Sequence, residues 1–152
     1  MPKFHPKPRW FKFLESRFPE RCREIPEAIE PDKILLRQFA IIKGHVYLQQ
    51  FASGENPLYF HSHPWRRGTI AIGLRGSVMD HNLVGFWRHR VVKAPYFRFM
   101  GPNTVHNTTD PSPNHMSIFI GLGKKTDAKG YWNEPAEPAH WEKHIQKKVK
   151  RL

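Results

Sequence analysis

His61-Ser62-His63-Pro64-Trp65 indicates both fold and chemistry, because it places two imidazoles two residues apart. In a β-strand, side chains at positions i and i+2 point to the same face. A later turn, Gly101-Pro102-Asn103-Thr104, leads to a third imidazole at His106. Neutral imidazole is the commonest protein ligand for transition metals. The spacing therefore predicts a metal site formed by His61, His63 and His106.

Short strands separated by tight turns surround these histidines. From residue 33 onward, apolar and alternating runs are interrupted by glycine and proline, of which the chain has 10 and 14. The pattern predicts about eight strands. They include one over 69–79 with a bend at its glycines and another over 84–92, with a loop at 80–82 between them. Such a series favours an antiparallel sandwich or a jelly-roll barrel.

The two ends of the chain have a different pattern. Residues 8–18 predict a short amphipathic helix, and residues 136–152 predict a basic one, with apolar residues repeating every fourth position. The only cysteine, Cys22, is expected in a loop outside the barrel. The predicted organisation is an N-terminal helix and loop extension over 1–32, a β-barrel over 33–125 and a C-terminal loop and basic helix over 126–152.

Composition limits the function classes. The chain has 152 residues and 39% hydrophobic residues, which suits one globular domain. No apolar run approaches the ~20 residues of a membrane span, and no signal peptide is evident, so a cytoplasmic address is expected. The formal net charge is +12. This excess predicts an anionic partner, either a small molecule or nucleic acid bound by the basic termini.

Two segments resemble the two halves of the cupin signature. The first cupin motif is His-x-His followed by Glu and later by Gly, and here it runs from His61 to Gly76. The second is Pro-x-Gly-x-x-His, and here it is the segment 101–106. His-Pro-Trp and the C-terminal aromatic residues look like a group of small bacterial and phage cupins of undefined function. The resemblance implies a mainly β, cupin-like jelly-roll barrel with short N-terminal and C-terminal helices.

The sequence departs from the cupin pattern in both motifs. Arg67 or Gly68 occupies the position of the usual glutamate, which leaves three histidines without a carboxylate ligand. Gly101 replaces proline and Asn103 replaces glycine, the latter a mild change because Asn tolerates positive φ. A three-histidine site resembles that of cupin thiol dioxygenases, which bind iron, and some catalytic zinc sites. The resemblance implies a divalent transition metal, iron first, with zinc, manganese or nickel as alternatives.

Strand periodicity predicts which side chains line the site. Tyr59 shares the face of the two strand-borne histidines, and Tyr47 and Gln49 are expected inside because the alternate positions of their strand are more aliphatic. Tyr59 and Gln49 are the predicted catalytic groups, and Tyr47 is a predicted substrate contact. An arginine at the glutamate position offers a fork to carboxylate or phosphate, or is an exposed turn residue. The predicted substrate-binding arginines are Arg67, Arg75 and Arg98.

The function predicted from these features is an iron-dependent, dioxygenase-type enzyme acting on a small anionic substrate. Two alternatives stay open. One is a non-catalytic module that binds an anionic small molecule or a nucleotide, which the positive charge favours. The other is a nucleic-acid-associated basic protein. Cupins that have lost their metal exist, and cupins commonly pair, so the resemblance leaves catalysis open and implies a homodimer.

Overall fold

The computed structural model describes residues 4–27, 30, 32–54, 63–83, 87–102 and 104–125. These ranges contain helix α1 (Arg9–Arg17), a 3-10 turn (Pro19–Arg21) and a series of strands. The strands are β1 (Cys22–Pro26), β2 (Ile34–Ile42), β3 (Val46–Phe51), β4 (Thr69–Arg75), β5 (Ser77–Leu83), β6 (Trp87–Lys93), β7 (Tyr96–Met100), β8 (Val105–Thr109) and β9 (Met116–Gly121). Tyr59, His61 and the predicted C-terminal helix lie outside the described residues.

The strands form two antiparallel sheets. One has six strands in the order β1-β2-β3-β9-β4-β7, and the other has three in the order β6-β5-β8. Strands that follow one another along the chain are often not adjacent in the sheet. For example, β9 lies between β3 and β4. This arrangement confirms the mainly β, jelly-roll prediction, although the two sheets do not close into one continuous barrel within the described ranges.

Helix α1 lies against the six-stranded sheet at its β1–β2 end. It begins after Pro8 and ends before Pro19, which agrees with the predicted range within one residue at each end. Phe11 is fully buried, and the ring of Phe18 lies 6.1 Å from that of Phe39 on β2. No helix in the described ranges combines the length and the apolar character needed to cross a bilayer.

Two details of the strand prediction were wrong. Cys22 does not lie in a loop but begins β1, where it pairs with Phe39. Proline can end this strand because β1 is at the edge of the sheet, where a missing N–H leaves no ladder bond unmade. The loop expected at 80–82 is part of β5, because the chain reverses earlier, at Gly76 with φ +73°. Glycine adopts that backbone region readily, and a Cβ at this position would collide with Ser112 Oγ.

The six-stranded sheet has one buried face that mixes polar and apolar side chains. We call the buried side, which faces the three-stranded sheet, the inner face, and the opposite side the outer face. Buried polar side chains of the inner face are Gln38, Gln49, Thr69, Arg98 and Ser117. They lie among an apolar cluster of Ala40, Tyr47, Trp65, Ala71, Met100 and Phe119. A buried polar surface is a stronger indication of a functional site than a buried apolar one, because burying a polar group without a hydrogen-bond partner costs free energy.

Candidate metal and ligand site

His63 and His106 meet between the two sheets. His106 is on β8, and His63 lies before β4. Their Nε2 atoms are 2.7 Å apart, and their ring centroids are 4.9 Å apart. Both side chains are buried, with 8% and 4% of their surface exposed. The structure thus brings together two of the three predicted ligands, and the third, His61, lies outside the described residues.

The facing nitrogens limit the protonation of the pair. Two lone pairs at 2.7 Å repel, so one Nε2 must carry a proton and donate to the other, or a cation must lie between them. Two imidazoles on one ion, with metal–nitrogen bonds of about 2.1 Å, have nitrogens about 3.0–3.4 Å apart. The observed separation is shorter by a few tenths of an ångström. Two rings aimed at one point therefore fit a metal after a small outward movement.

A buried carboxylate lies behind His106. Asp80 is on β5, which pairs with β8, and its Oδ1 lies 3.7 Å from His106 Nδ1. Arg98 Nη1 forms an ion pair with the same oxygen at 2.7 Å. Asn82 donates to Asp80 Oδ2 and accepts from Arg98 Nη2 at 3.3 Å. Asp80, Asn82 and Arg98 therefore form a closed polar network that orients His106.

These neighbours set the charges at the site. Burial lowers the pKa of His106, the Arg98 cation lowers it further, and Asp80 opposes both without reversing the shift. Burial raises the pKa of Asp80, but His106 and Arg98 outweigh it and hold this pKa below its usual value. At neutral pH, Asp80 is therefore an anion and His106 is a neutral imidazole. Neutral imidazole is the form that binds metals.

Aromatic side chains enclose the other side of the histidine pair. The ring of His63 lies 5.0 Å from Phe119 and 6.3 Å from Trp65. The Trp65 indole N–H donates to the Gly44 carbonyl at 3.2 Å, which fixes the ring across the end of the sheet. Trp65 also covers Gly121, where a Cβ would collide with the indole. The short segment His63-Pro64-Trp65 thus positions both the His63 imidazole and the aromatic ring that lies beside it.

A chain of polar side chains extends along the inner face from the edge strand. Arg23 on β1 donates to Gln38 Oε1 through Nε at 2.9 Å and Nη2 at 2.7 Å. Gln38 in turn donates to Gln49 Oε1 at 3.1 Å. The Arg23 guanidinium lies 5.1 Å from the centre of the Tyr47 ring. Tyr47 and Gln49 are therefore on the inner face, as the strand periodicity predicted; their catalytic and substrate-binding roles stay predictions.

The three predicted arginines lie in different surroundings. Arg98 is buried on the inner face and ion-paired with Asp80. Arg67 is exposed before β4, and its aliphatic stem lies beside Gly123. Arg75 is exposed at the end of β4. The structure does not bring these three side chains together, and Arg98 has an anionic partner already. Tyr59, the second predicted catalytic residue, lies outside the described residues.

Sequence reasoning missed Asp80 and Asn82. Both were assigned to a polar loop, whereas β5 turns Val78, Asp80 and Asn82 to the buried side. The sequence signal was the two-residue periodicity of this segment, in which the apolar Val78 is followed on the same face by the polar Asp80 and Asn82. Among the described residues, no three His, Cys, Asp or Glu side chains are arranged to hold one metal ion. A complete site needs a ligand from elsewhere in the chain.

Solved structures of low sequence identity have a similar fold. Hydroxypropylphosphonic acid epoxidase from S. wedmorenis has a TM-score of 0.50 at 9% identity, over 69% of this chain and 57% of the epoxidase chain. A structure of Fe(II) HppE has a TM-score of 0.51 at 10% identity, over 69% and 58%. A 3,4-ketoisomerase from Thermoanaerobacterium thermosaccharolyticum has a TM-score of 0.47 at 16% identity, over 84% and 83%.

This similarity concerns the fold alone. The chain spans less than three fifths of the length of the epoxidase chain, so the activity of that protein is not transferred by the match. No protein-family model matches the sequence, and no curated protein matches it either. What the chain has in common with the epoxidase is a similar fold over the matched part of each chain.

Proposed function

We propose that this chain is a cupin-type, metal-dependent oxidoreductase that acts on a small anionic substrate. His63 and His106 hold the ion together with His61, and iron is the first candidate. The observation that carries the proposal is the pair of buried imidazoles whose Nε2 atoms face each other at 2.7 Å. When bound, such an ion supplies Lewis-acid or redox chemistry at the coordination positions that the protein leaves open.

The residues around the pair have separable tasks. Asp80 orients His106 from behind and is neutralised by Arg98, so this arginine is a positioning residue and does not bind substrate. Trp65 and Phe119 exclude water from one side of the His63 ring. Gln49 presents an amide to the interior, where it is a candidate contact for a polar substrate. Tyr59 stays a proposed catalytic group, and Tyr47, Arg67 and Arg75 stay proposed substrate contacts; the overall charge of +12 favours an anionic substrate.

Metal binding by the full chain tests this function. Protein purified without an affinity tag is titrated anaerobically with Fe(II), and with Co(II) as a spectroscopic probe. We expect one ion per chain for the wild type. We expect His63→Ala and His106→Ala each to weaken binding by about 100-fold or more, since loss of even an outer-shell partner costs about 10–100-fold. His45→Ala, which removes an exposed imidazole from the β2–β3 turn, is the matched control.

Two results would count against the metal site. The first is a wild-type protein that binds none of Fe(II), Mn(II), Ni(II) and Zn(II) stoichiometrically. The second is unchanged affinity in the His106→Ala variant. Oxygen consumption with a panel of thiols and small acids then tests turnover. A loaded protein that is inert towards the whole panel would favour binding without catalysis.

A second candidate function is capture of an anionic ligand without turnover. The hydrogen-bonded chain of Arg23, Gln38 and Gln49 favours it, because guanidinium and amide groups recognise a ligand but are poor acids and bases. Mass spectrometry of small molecules released by denaturation distinguishes the two. An unchanged co-purified anion, retained by the His106→Ala variant, would support capture.

A further inference from the structure

A second pair of histidines lies on the far side of the three-stranded sheet. Asp80 and Asn82 on β5 are buried towards the interior, so His81 between them points to the opposite side. The strand register places His81 directly opposite His89 on β6. The Nδ1 atoms of the two rings are 2.5 Å apart, and the ring centroids are 4.8 Å apart. Neither histidine belongs to the motifs of the buried pair, so this second pair is a separate feature of the chain.

Neighbouring side chains determine which nitrogen of His81 carries the proton. The Thr109 hydroxyl donates its only hydrogen to Asp110 Oδ2 at 2.9 Å. The same hydroxyl oxygen lies 2.9 Å from His81 Nε2, and because its hydrogen is already in use it accepts there. His81 therefore carries its proton on Nε2, and its Nδ1 keeps a lone pair. Burial lowers the pKa of His81, and His89 lowers it further, so the ring is neutral at neutral pH.

This arrangement is the one that supports metal-binding histidines. A ligating imidazole usually donates its other ring N–H to a carboxylate, a carbonyl or water, and this bond fixes the tautomer and the orientation of the ring. In this chain the Thr109 hydroxyl receives the N–H of His81 and is itself bonded to the Asp110 carboxylate. The lone pair of His81 is therefore held in a position to bind, and it points at the second imidazole.

The two Nδ1 atoms are closer than an ordinary hydrogen bond allows. Bonds from an N–H donor are about 2.7–3.2 Å long, and the separation here is 2.5 Å. A metal ion between the rings requires nitrogens about 3.0–3.4 Å apart, if each metal–nitrogen bond is about 2.1 Å. His89 is exposed on the edge strand of the sheet, so its ring can move outward by this difference of less than about 1 Å. The pair therefore needs either a shared proton or an ion between its two nitrogens.

We propose that His81 and His89 form a second metal site, which binds Zn(II) or Cu(II) through both imidazoles. Imidazole nitrogen suits these ions, whereas Mg²⁺ and Ca²⁺ prefer oxygen ligands. Divalent iron is lower in the general order of affinity, so this site holds it more weakly than zinc or copper. The other coordination positions are left to water, since no third His, Cys, Asp or Glu completes the set within the ranges that the structure describes. The bound ion joins β5 to β6 and thereby secures an edge strand of the sheet.

Calorimetric titration of the full chain with Zn(II) at neutral pH tests this site. We expect His81→Ala and His89→Ala each to weaken the binding of one zinc ion per chain by about 100-fold or more, since loss of even an outer-shell partner costs about 10–100-fold. The double variant should lose no more affinity for that ion than either single variant, because one ring alone no longer chelates it. His45→Ala, which removes one exposed imidazole from the β2–β3 turn, is the matched control and should bind zinc as the wild type does.

Thr109→Val tests whether the site is built into the protein. This substitution keeps the shape of the side chain, removes the acceptor of the His81 N–H and should weaken the binding of the same zinc ion by about 10-fold or more. Unchanged affinity in Thr109→Val would overturn the built site and leave an adventitious ion only. Because His89 is exposed, His89→Ala should keep the circular dichroism spectrum of the wild type, so that loss of zinc is not loss of the fold.

The outcome is separable from that of the buried histidine pair. His106→Ala should leave the affinity of this zinc ion unchanged, because His106 points to the other side of the three-stranded sheet. Equal zinc stoichiometry and affinity in the wild type, His81→Ala and His89→Ala would overturn the proposal, and the two rings would then share a proton. Neither result depends on whether the buried pair binds a metal.

Discussion

At the scale of single residues, Asp80 determines the character of the interior. Its carboxylate is fully buried, and its pKa is held below the usual value by His106 and Arg98 in spite of burial. Two charges taken out of water are tolerated only when each satisfies the other. The position of His106, and with it the geometry of the histidine pair, therefore depends on the ion pair between Asp80 and Arg98. This ion pair forms within the protein and does not need a bound substrate.

Removing Arg98 alone should lower the free energy of unfolding more than removing the charges of both Asp80 and Arg98. Arg98→Met leaves the Asp80 anion buried without its cation, and we expect the free energy of unfolding to fall by about 3–5 kcal/mol. Asp80→Asn/Arg98→Met removes both charges at nearly constant volume and should cost less than half of that. Urea unfolding of the wild type, Asp80→Asn, Arg98→Met and the double variant measures the difference. Costs that simply add in the double variant would contradict the coupling.

The types and spacing of residues predicted part of this site. The rest depends on strand register, which the sequence alone does not reveal. His63 and His106 were singled out by their place in two short motifs, although the chain has 10 histidines. Tyr47 was placed inside because period-two alternation is visible within one strand. Asp80 was missed since three consecutive polar residues indicate a loop until their pairing with β6 and β8 is known. Arg98 shows the same limit, because no local pattern reveals its buried partner.

At the scale of elements, helix α1 is attached to the sheet by one side of its surface. Phe11 is fully buried, whereas Phe13, two positions on, is 59% exposed and lies under the Arg17 guanidinium. Side chains two apart point to different sides of a helix. The helix was predictable from the spacing of its apolar residues, while β1 was not, because Pro26 and a charged composition hide a short edge strand.

The two phenylalanines of α1 give a direct comparison. Phe11→Ala leaves a cavity beneath the helix and should lower the free energy of unfolding by about 3–5 kcal/mol. Phe13→Ala removes a mostly hydrated ring and should change it by less than about 0.5 kcal/mol. Thermal or urea unfolding of both variants suffices as the measurement. Equal effects at the two positions would mean that the helix is not docked through Phe11.

At the scale of the whole molecule, the buried histidines couple the fold to pH. Burial lowers the pKa of His115 to about 4, and the imidazole is 1% exposed. Its Nδ1 accepts the Phe51 N–H at 3.3 Å, so the proton is on Nε2, which faces the Tyr96 hydroxyl at 3.3 Å. Both nitrogens are thus in use while the ring is neutral. A second proton on this ring would break the contact with the β3 backbone.

Acid should therefore destabilise the fold through His115. The unfolded chain binds this proton near pH 6.5, whereas the folded chain binds it only near pH 4. Between these values the unfolded state holds more protons, so the free energy of unfolding falls as pH falls, by about 1.4 kcal/mol per unit and about 3 kcal/mol in all. Above pH 6.5 this contribution is complete.

His115→Asn removes the titration and keeps an acceptor for the Phe51 N–H. Its free energy of unfolding should decline less than that of the wild type between about pH 7 and about pH 4.5, and urea denaturation at both values measures this. Part of the acid sensitivity will persist, since burial also lowers the pKa of His106. Identical declines in the two proteins would show that His115 is not the group responsible.

Arg37 carries a practical consequence for shortened versions of this chain. Its buried guanidinium donates to the carbonyls of His5 at 2.7 Å and Pro6 at 3.2 Å, and to Glu24 at 2.8 Å. A truncated protein that starts at the first long strand, near Ile34, would delete these three acceptors and leave Gln50 Oε1, at 3.0 Å, as the remaining acceptor of this guanidinium among the described residues. Such a truncated protein should be insoluble on expression. A version that begins before His5 keeps the hydrogen bonds that hold the Arg37 guanidinium.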